Sequence, residues 1–343
     1  MVADGLALPL AAPQQSRGPR PLPLFLSLVA EAASRDPALA AKALEGLKRY
    51  QQASLPPPGP PRPVVAHHGG ATLRDCGGSG PVVVLVPSLI NPPTILDLDP
   101  GCSLADALSA RHRVLLLDWG CAAEREGLDL RGHVERLLLP LMEEAGRPAL
   151  VGYCLGGTLA LAAAVRTPEV AGVVTLASPW RFGAYPAEAR RRLLEVWQTA
   201  SPAAARLGSL PMEVLQTAFW QVDPERLVAK FAHFARMQEE SAEAQRFAAL
   251  EDWANGGEPL PLPAARDLVE DQFGRGGTIG ELPSCPTLHF TARGDRIVPE
   301  GTVAPGPRIG CPAGHVGMVV GRQARTTLHE PLLSWLEGVH RSR

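Results

Sequence analysis

The stretch LVGYCLGGTLAL, Leu150–Leu161, decides the fold. An apolar run enters it, Gly152 and Gly156 flank a bend, and an apolar helical pattern leaves it. This is the strand–turn–helix signature of a nucleophile elbow, in which a sharp turn lifts one side chain to the top of a sheet. Here that side chain is the thiol of Cys154, in the place where a serine hydroxyl is the commoner choice. Glycines at 152 and 156 let the backbone fold tightly without Cβ clashes. Cys154 stands at a helix N-terminus, where the dipole favours a thiolate and the Leu155 N–H faces an oxyanion. The alternative is a buried structural cysteine, a common fate of this residue. Motif, turn chemistry and flanking periodicity agree on the nucleophile.

Outward from the elbow, strand and helix patterns alternate. PVVVLVP (Pro81–Pro87), RVLLLDWG (Arg113–Gly120), PALVGY before Cys154 and GVVTLAS (Gly172–Ser178) are short apolar runs, as expected of strands buried on both faces. Helical patterns cover Ser103–Ala110, Asp129–Glu144 and Leu155–Thr167 between them. The order predicts a parallel sheet with right-handed crossovers. From Arg181 to Leu282 the alternation stops and the chain reads as helices and loops with scattered aromatics. It resumes with CPTLHFTARGD (Cys285–Asp295), a short strand ending near Arg308–Cys311, and a closing helix over Arg325–Val339. The expected fold is therefore α/β of the hydrolase type: a mostly parallel sheet flanked by helices, with a helical cap insertion. The segments are an N-terminal part (1–60), a first core part (61–180), the cap (181–284) and a second core part (285–343). Within the first, residues 1–20 read as disordered. Two helices span 24–52, with Asp36–Pro37 as cap and first helical residue, and Ser54–Pro63 forms a stiff proline-rich linker.

In this fold the nucleophile is followed along the chain by an acid and then a histidine. Asp295, in ARGDRIVP after an apolar strand, and His315, in the glycine-flanked loop PAGHVGMVVG, occupy those places. His67–His68 reads as a loop or strand end, His133 lies on a helix, His233 in the insertion and His289 in a strand. Trp119, ending a strand, reads as packing. CGGSGP (Cys76–Pro81) precedes a strand rather than following one, which argues against a phosphate loop.

Composition limits the rest. The chain has 343 residues and a net charge of −2, a balance that does not suggest a nucleic-acid binder. The six cysteines form no CxxC pair, and their spacing to histidines gives no metal site. PLPLFLSLVAEAA is too short to span a membrane. A cytoplasmic protein with reduced thiols is expected.

GYCLGG, together with LINPPTILDLDPGCSLADAL, LLLDWG, GDRIVP and GHVGMVVG, resembles the poly(3-hydroxyalkanoate) synthases, in particular the short catalytic subunits of the two-component type. The resemblance runs from about Val82 to the C-terminal helix, and LPMEVLQTAFWQVDPERLVAKF is similar to the family's cap. It implies an acyltransferase that polymerises 3-hydroxyacyl-CoA, with no resident cofactor, CoA thioester being substrate. It further implies Cys154 as acyl acceptor, His315 as base, Asp295 as its partner, and the Ile90 N–H as a second oxyanion donor beside Leu155. A second synthase subunit or a homodimer, and a polyester granule surface, are the implied partners. Phe219 and Trp220 are candidates for an acyl tunnel, under a cap that covers Cys154. The chain departs from the family at Pro92, where a basic residue is usual after the asparagine, at Arg181, where an acid is usual, and at His133, where a tyrosine is usual. A cysteine-dependent hydrolase of esters or thioesters, and a non-catalytic partner protein, remain alternatives at this stage.

Overall fold

The computed structural model describes residues 17–55 and 61–341. Of the residues 1–20 expected to be disordered, 1–16 lie outside the described residues, as does the centre of the proline-rich linker (56–60); residues 17–20 are described and form irregular backbone before the first helix.

The larger of two compact units comprises residues 61–224 and 249–341 among those described. Its sheet has eight strands: β1 (Val64–His68), β2 (Ala71–Gly77), β3 (Val82–Val86), β4 (Arg113–Asp118), β5 (Ala149–Tyr153), β6 (Gly172–Leu176), β9 (Thr287–Ala292) and β10 (Arg308–Cys311). Between β6 and β9 lie the two-residue strands β7 (Ser209–Leu210) and β8 (Leu260–Pro261), which pair with each other. The spatial order is β1-β2-β4-β3-β5-β6-β9-β10. The six strands from β4 to β10 in that order run parallel, and only the β1–β2 and β2–β4 pairs are antiparallel. This is an α/β-hydrolase fold.

Strand chemistry explains the layers. In β3, Val83 and Leu85 join one buried cluster while Val84 and Val86 join the other, so each face is apolar and each is covered. Helices Leu155–Arg166 and Leu130–His133 with its π-helical continuation cover one face, and Leu104–Ser109 and Glu330–Arg341 the other.

Parallel strands present all their carboxyl ends at one edge. The chain leaves β3 for β4 on one side and returns to β5 on the other, which makes β3/β5 the switch point where such sheets place their sites. The loops after β3, β5, β9 and β10 carry Ile90, Cys154, Asp295 and His315 to that edge.

His67–His68 forms the end of the antiparallel edge strand β1, the strand-end alternative of the sequence reading. Two elements differ from that reading. Cys76 and Gly77 close β2, so CGGSGP does follow a strand as well as precede one; it lies at the amino end of β3, away from the site edge. The helices over 130–145 and 325–341 each contain a π-helical turn, Val134–Leu138 and Arg325–His329.

The smaller unit joins residues 17–55 to 225–248 of the insertion. Helices Leu22–Arg35 and Pro37–Gln52 meet at Asp36, whose carboxylate accepts the Leu39 N–H at 2.9 Å. Phe25 and Tyr50 pack edge-on against Phe231, with ring centroids 4.8 and 6.0 Å away. Arg49 donates to the carbonyls of Phe234, Ala235 and Met237 at 3.0, 2.9 and 2.8 Å. Periodicity finds these helices one by one; the packing that joins them spans nearly two hundred residues of sequence and leaves no local signal.

Candidate active site

At Cys154 the backbone takes φ +54° and ψ −130°, a conformation that costs a side-chain-bearing residue about 1–3 kcal/mol. Two bonds hold it: the Cys154 N–H donates to Leu176 O at 2.9 Å, and its carbonyl accepts the Gly157 N–H at 3.0 Å. Close approach explains the flanking glycines. A Cβ on Gly156 would stand 2.2 Å from Val86 O and 2.3 Å from Pro87 O, and one on Gly152 would stand 2.3 Å from the Gly157 Cα. The missing side chains thus let the helix that starts at Leu155 press against the end of β3, and so beside the loop that carries Ile90.

His315 and Asp295 converge on the elbow. His315 Nδ1 lies 2.7 Å from Asp295 Oδ2, and both side chains are almost wholly buried. The other Asp295 oxygen accepts the backbone N–H groups of Ile297 and Val298 at 2.8 and 2.9 Å. The carboxylate is therefore fixed as an acceptor, so Nδ1 carries the proton and Nε2 is left for Cys154, to which His315 also hydrogen-bonds. Burial alone would disfavour the imidazolium. The negative charge of a Cys154 thiolate and the hydrogen bonds to Asp295 and Cys154 reverse this and raise His315 to about 10. Tyr153 packs its ring 5.2 Å from the imidazole, and its hydroxyl donates to His315 O at 3.4 Å.

The two sequence-predicted oxyanion donors sit on adjacent strands' loops. Leu155 opens its helix, so its N–H has no partner within the helix. The Ile90 N–H makes one long contact, 3.5 Å to Ser88 Oγ. The loop around it is held from outside. Trp119 Nε1 donates to Pro87 O at 3.0 Å and Trp253 Nε1 to Pro92 O at 2.9 Å. Asn91 Nδ2 donates to Ala254 O at 3.3 Å, and the Glu258 N–H to Ile90 O at 3.0 Å. Residues 253–258 belong to the insertion, so its returning segment lies at the edge that bears Cys154.

Trp119 thus does more than pack. Pro92, one of the departures from the resemblance, contributes a carbonyl to this clamp. Arg181 does not face the cleft as a stand-in for an acid: Nη2 donates to Gly301 O at 2.8 Å while the Trp180 and Arg181 N–H groups donate to Thr302 O at 2.8 and 2.7 Å. His133 is fully buried, with Nδ1 2.7 Å from Asp129 O.

Phe219 and Trp220 close the helix Met212–Trp220. Phe219 packs against the larger apolar cluster of the core, and Trp220 is buried. Tyr185 is the aromatic that sequence reasoning missed. It is buried against Phe182 and Phe273, and burial, then the charges of Cys154 and Asp295, push its hydroxyl well above the usual range. It lies five residues beyond Trp180, at the start of the insertion, where only distance from the last strand could have drawn attention to it. Among the described residues, no group of three or more His, Cys, Asp and Glu side chains has the arrangement of a metal site, and no helix is long and apolar enough to cross a membrane.

A strained cysteine after β5, an aspartate after β9 and a histidine after β10 stand together at one edge of the sheet. A family model for the alpha/beta hydrolase family matches residues 83–326, and the chain belongs to that family. More particularly, it is similar to the poly(3-hydroxyalkanoate) polymerase subunit PhaC of Haloferax mediterranei, at 29% identity over 206 residues, which are 56% of this chain and 41% of that protein. The chain thus spans about two-fifths of the length of that relative. Similar solved structures include a thermophilic esterase from Thermogutta terrifontis (19% identity, TM-score 0.45, 82% of this chain and 98% of that one). Epoxide hydrolase A from Mycobacterium thermoresistibile is another (20% identity, TM-score 0.49, 82% and 99%).

Proposed function

We propose that this protein is an acyltransferase that takes a 3-hydroxyacyl group from CoA onto Cys154 and passes it to the hydroxyl of another 3-hydroxyacyl unit, extending a polyester. The observation that carries the reading is the cysteine itself, strained at the elbow beside a buried His315–Asp295 pair, in a place where a hydrolase ordinarily has serine. The similarity to a polymerase subunit supports the substrate class.

The chemistry follows from the two kinds of bond. The Cys154 thiolate attacks the thioester carbonyl, the oxyanion rests on the Leu155 and Ile90 N–H groups, and the C–S bond to CoA breaks. His315, as imidazolium, gives its proton to the departing CoA sulfur. One thioester replaces another, so the step is nearly neutral in free energy and the acyl group stays reactive. Neutral His315 then removes the proton of the acceptor hydroxyl, whose oxygen attacks the acyl carbon. An oxygen ester forms, and Cys154 leaves as thiolate beside the imidazolium. Exchange of a thioester for an ester drives growth. Water competes at the second step, and the burial of the His315 and Asp295 side chains works against it. Tyr185, Phe219 and Trp220 are the proposed lining of the acyl site. A second subunit, or a second copy, and a granule surface are the proposed partners, in the cytoplasm.

The test is purified protein with 3-hydroxybutyryl-CoA, following free CoA and product together. CoA with oligomer is the expected result. CoA with free acid would make the protein a thioester hydrolase, and no CoA release above the Cys154→Ala control would remove this substrate.

A further inference from the structure

Beneath the loop that carries Ile90 lies an arginine that the reaction as described does not use. Arg125, in the short turn Ala122–Arg125 after β4, is 2% exposed. Its Nη2 donates to Leu89 O at 3.4 Å and its Nη1 lies 3.3 Å from His133 Nε2. His133 Nδ1 faces the Asp129 carbonyl at 2.7 Å and must donate to it, so Nε2 is a bare acceptor for the guanidinium. Burial pulls His133 down to about 4, which keeps the ring neutral and in that tautomer. Burial works against the guanidinium charge, and the nearby carboxylates of Glu258 and Asp118 favour it.

Burying a guanidinium is costly, and packing alone does not need one. The Leu89 carbonyl and the Ile90 N–H belong to the same peptide unit, which is planar and trans, so they point in opposite directions. Gripping that oxygen sets the plane of the unit and with it the direction of the N–H. The next carbonyl, Ile90 O, is gripped by the Glu258 N–H at 3.0 Å, and the Glu258 carboxylate accepts the Ala122 N–H at 3.2 Å. Both peptide units flanking the Ile90 Cα are thereby fixed, from one side by the turn that carries Arg125 and from the other by the returning segment of the insertion.

We propose that Arg125 is a positioning residue of the oxyanion hole, holding the Leu89–Ile90 peptide so that the Ile90 N–H faces the oxygen that becomes negative when Cys154 attacks a carbonyl. The assignment rests on the reading of Cys154 as nucleophile and of Ile90 as oxyanion donor, and it does not depend on the acyl group or on CoA.

The test compares two reactions of the same sulfur. Acylation by p-nitrophenyl acetate passes through a tetrahedral oxyanion: the thiolate adds to the carbonyl, p-nitrophenolate leaves, and an acetyl thioester remains. Alkylation by iodoacetamide displaces iodide at a saturated carbon and forms no oxyanion. Both are read against Cys154→Ala, which subtracts the exposed Cys121. For Arg125→Met the expected result is a burst rate lower by about 100-fold, the usual effect of losing one oxyanion donor. Half-saturation should hardly move and alkylation should stay within about threefold of wild type. Arg125→Lys keeps a cation but loses the planar fork, so it should recover part of the rate; it also carries the test if the methionine variant does not fold. Equal loss of acylation and alkylation would make Arg125 merely structural, and unchanged acylation would also overturn the inference. If wild-type Cys154 is not acylated by the ester at all, the site assignment itself fails. Failure on 3-hydroxybutyryl-CoA with a normal ester burst would sink only the proposed substrate.

Discussion

Cys154 holds its side chain out on a backbone with φ +54°, and His315 and Asp295 meet it from two other loops. The imidazolium raised to about 10 makes the sulfur's reactivity depend on His315 near neutral pH. His315→Gln is expected to slow iodoacetamide alkylation at pH 6.5 by about tenfold or more, because the charged partner of the thiolate is gone. Asp295→Asn is expected to spare alkylation better than acyl transfer, since Asp295 chiefly orients His315 for its second task as base. Equal rates for wild type and His315→Gln at that pH would refute the ion pair. At this scale the positions of Cys154, Asp295 and His315 were legible, because motif and chain order name them. Arg125 and Tyr185 were not. An arginine in a polar stretch such as AAEREG reads as solvated, and its burial depends on a carbonyl 36 residues away.

The elements around the site are shaped by close approach more than by propensity. Gly156→Ala would drive a Cβ into two backbone carbonyls that cannot swing aside. The expected cost is about 2 kcal/mol or more, read as a lower urea midpoint, with loss of acyl transfer. An alanine variant as stable and active as wild type would show that the loop after β3 does not rest on the elbow. Trp253→Phe keeps a ring but loses the donor to Pro92 O. It is expected to slow acylation up to about tenfold, in line with one hydrogen bond, and to leave Cys154 alkylation unchanged. The central strands were readable because each is apolar on both faces. The edge pair β1–β2 was harder: in β1 only the middle residue is buried, and VVAHH shows no run long enough to declare itself. The two-residue strands β7 and β8 are made by a pairing across some fifty residues and have no pattern of their own.

Across the whole molecule, the buried polar groups set the response to acid. His112, His133, His289 and His329 are all held below the ordinary histidine value, first by burial, His133 down to about 4. A folded-state value below the unfolded one means that the unfolded chain binds the extra protons. The stability these rings confer is therefore full above about pH 6.5 and is lost as pH falls below it, for His133 down to about 4, by up to about 1.4 kcal/mol per pH unit for a ring within its window. Urea midpoints should fall steadily between pH 7 and pH 5, and a flat profile there would mean that these rings are not buried in their neutral form. The grouping of residues 17–55 with 225–248 is also a property of this scale. It rests on contacts such as Phe25 on Phe231, which no window of sequence contains.

The central claim, that Cys154 carries the acyl group as a thioester, is tested most directly by trapping it. The protein is mixed with 3-hydroxybutyryl-CoA, quenched in acid within a single turnover, digested and mapped by mass spectrometry. The expected result is a 3-hydroxybutyryl adduct on the peptide containing Cys154, removed by hydroxylamine and absent from Cys154→Ala. An adduct on another residue, or turnover that survives in Cys154→Ala, would contradict the account.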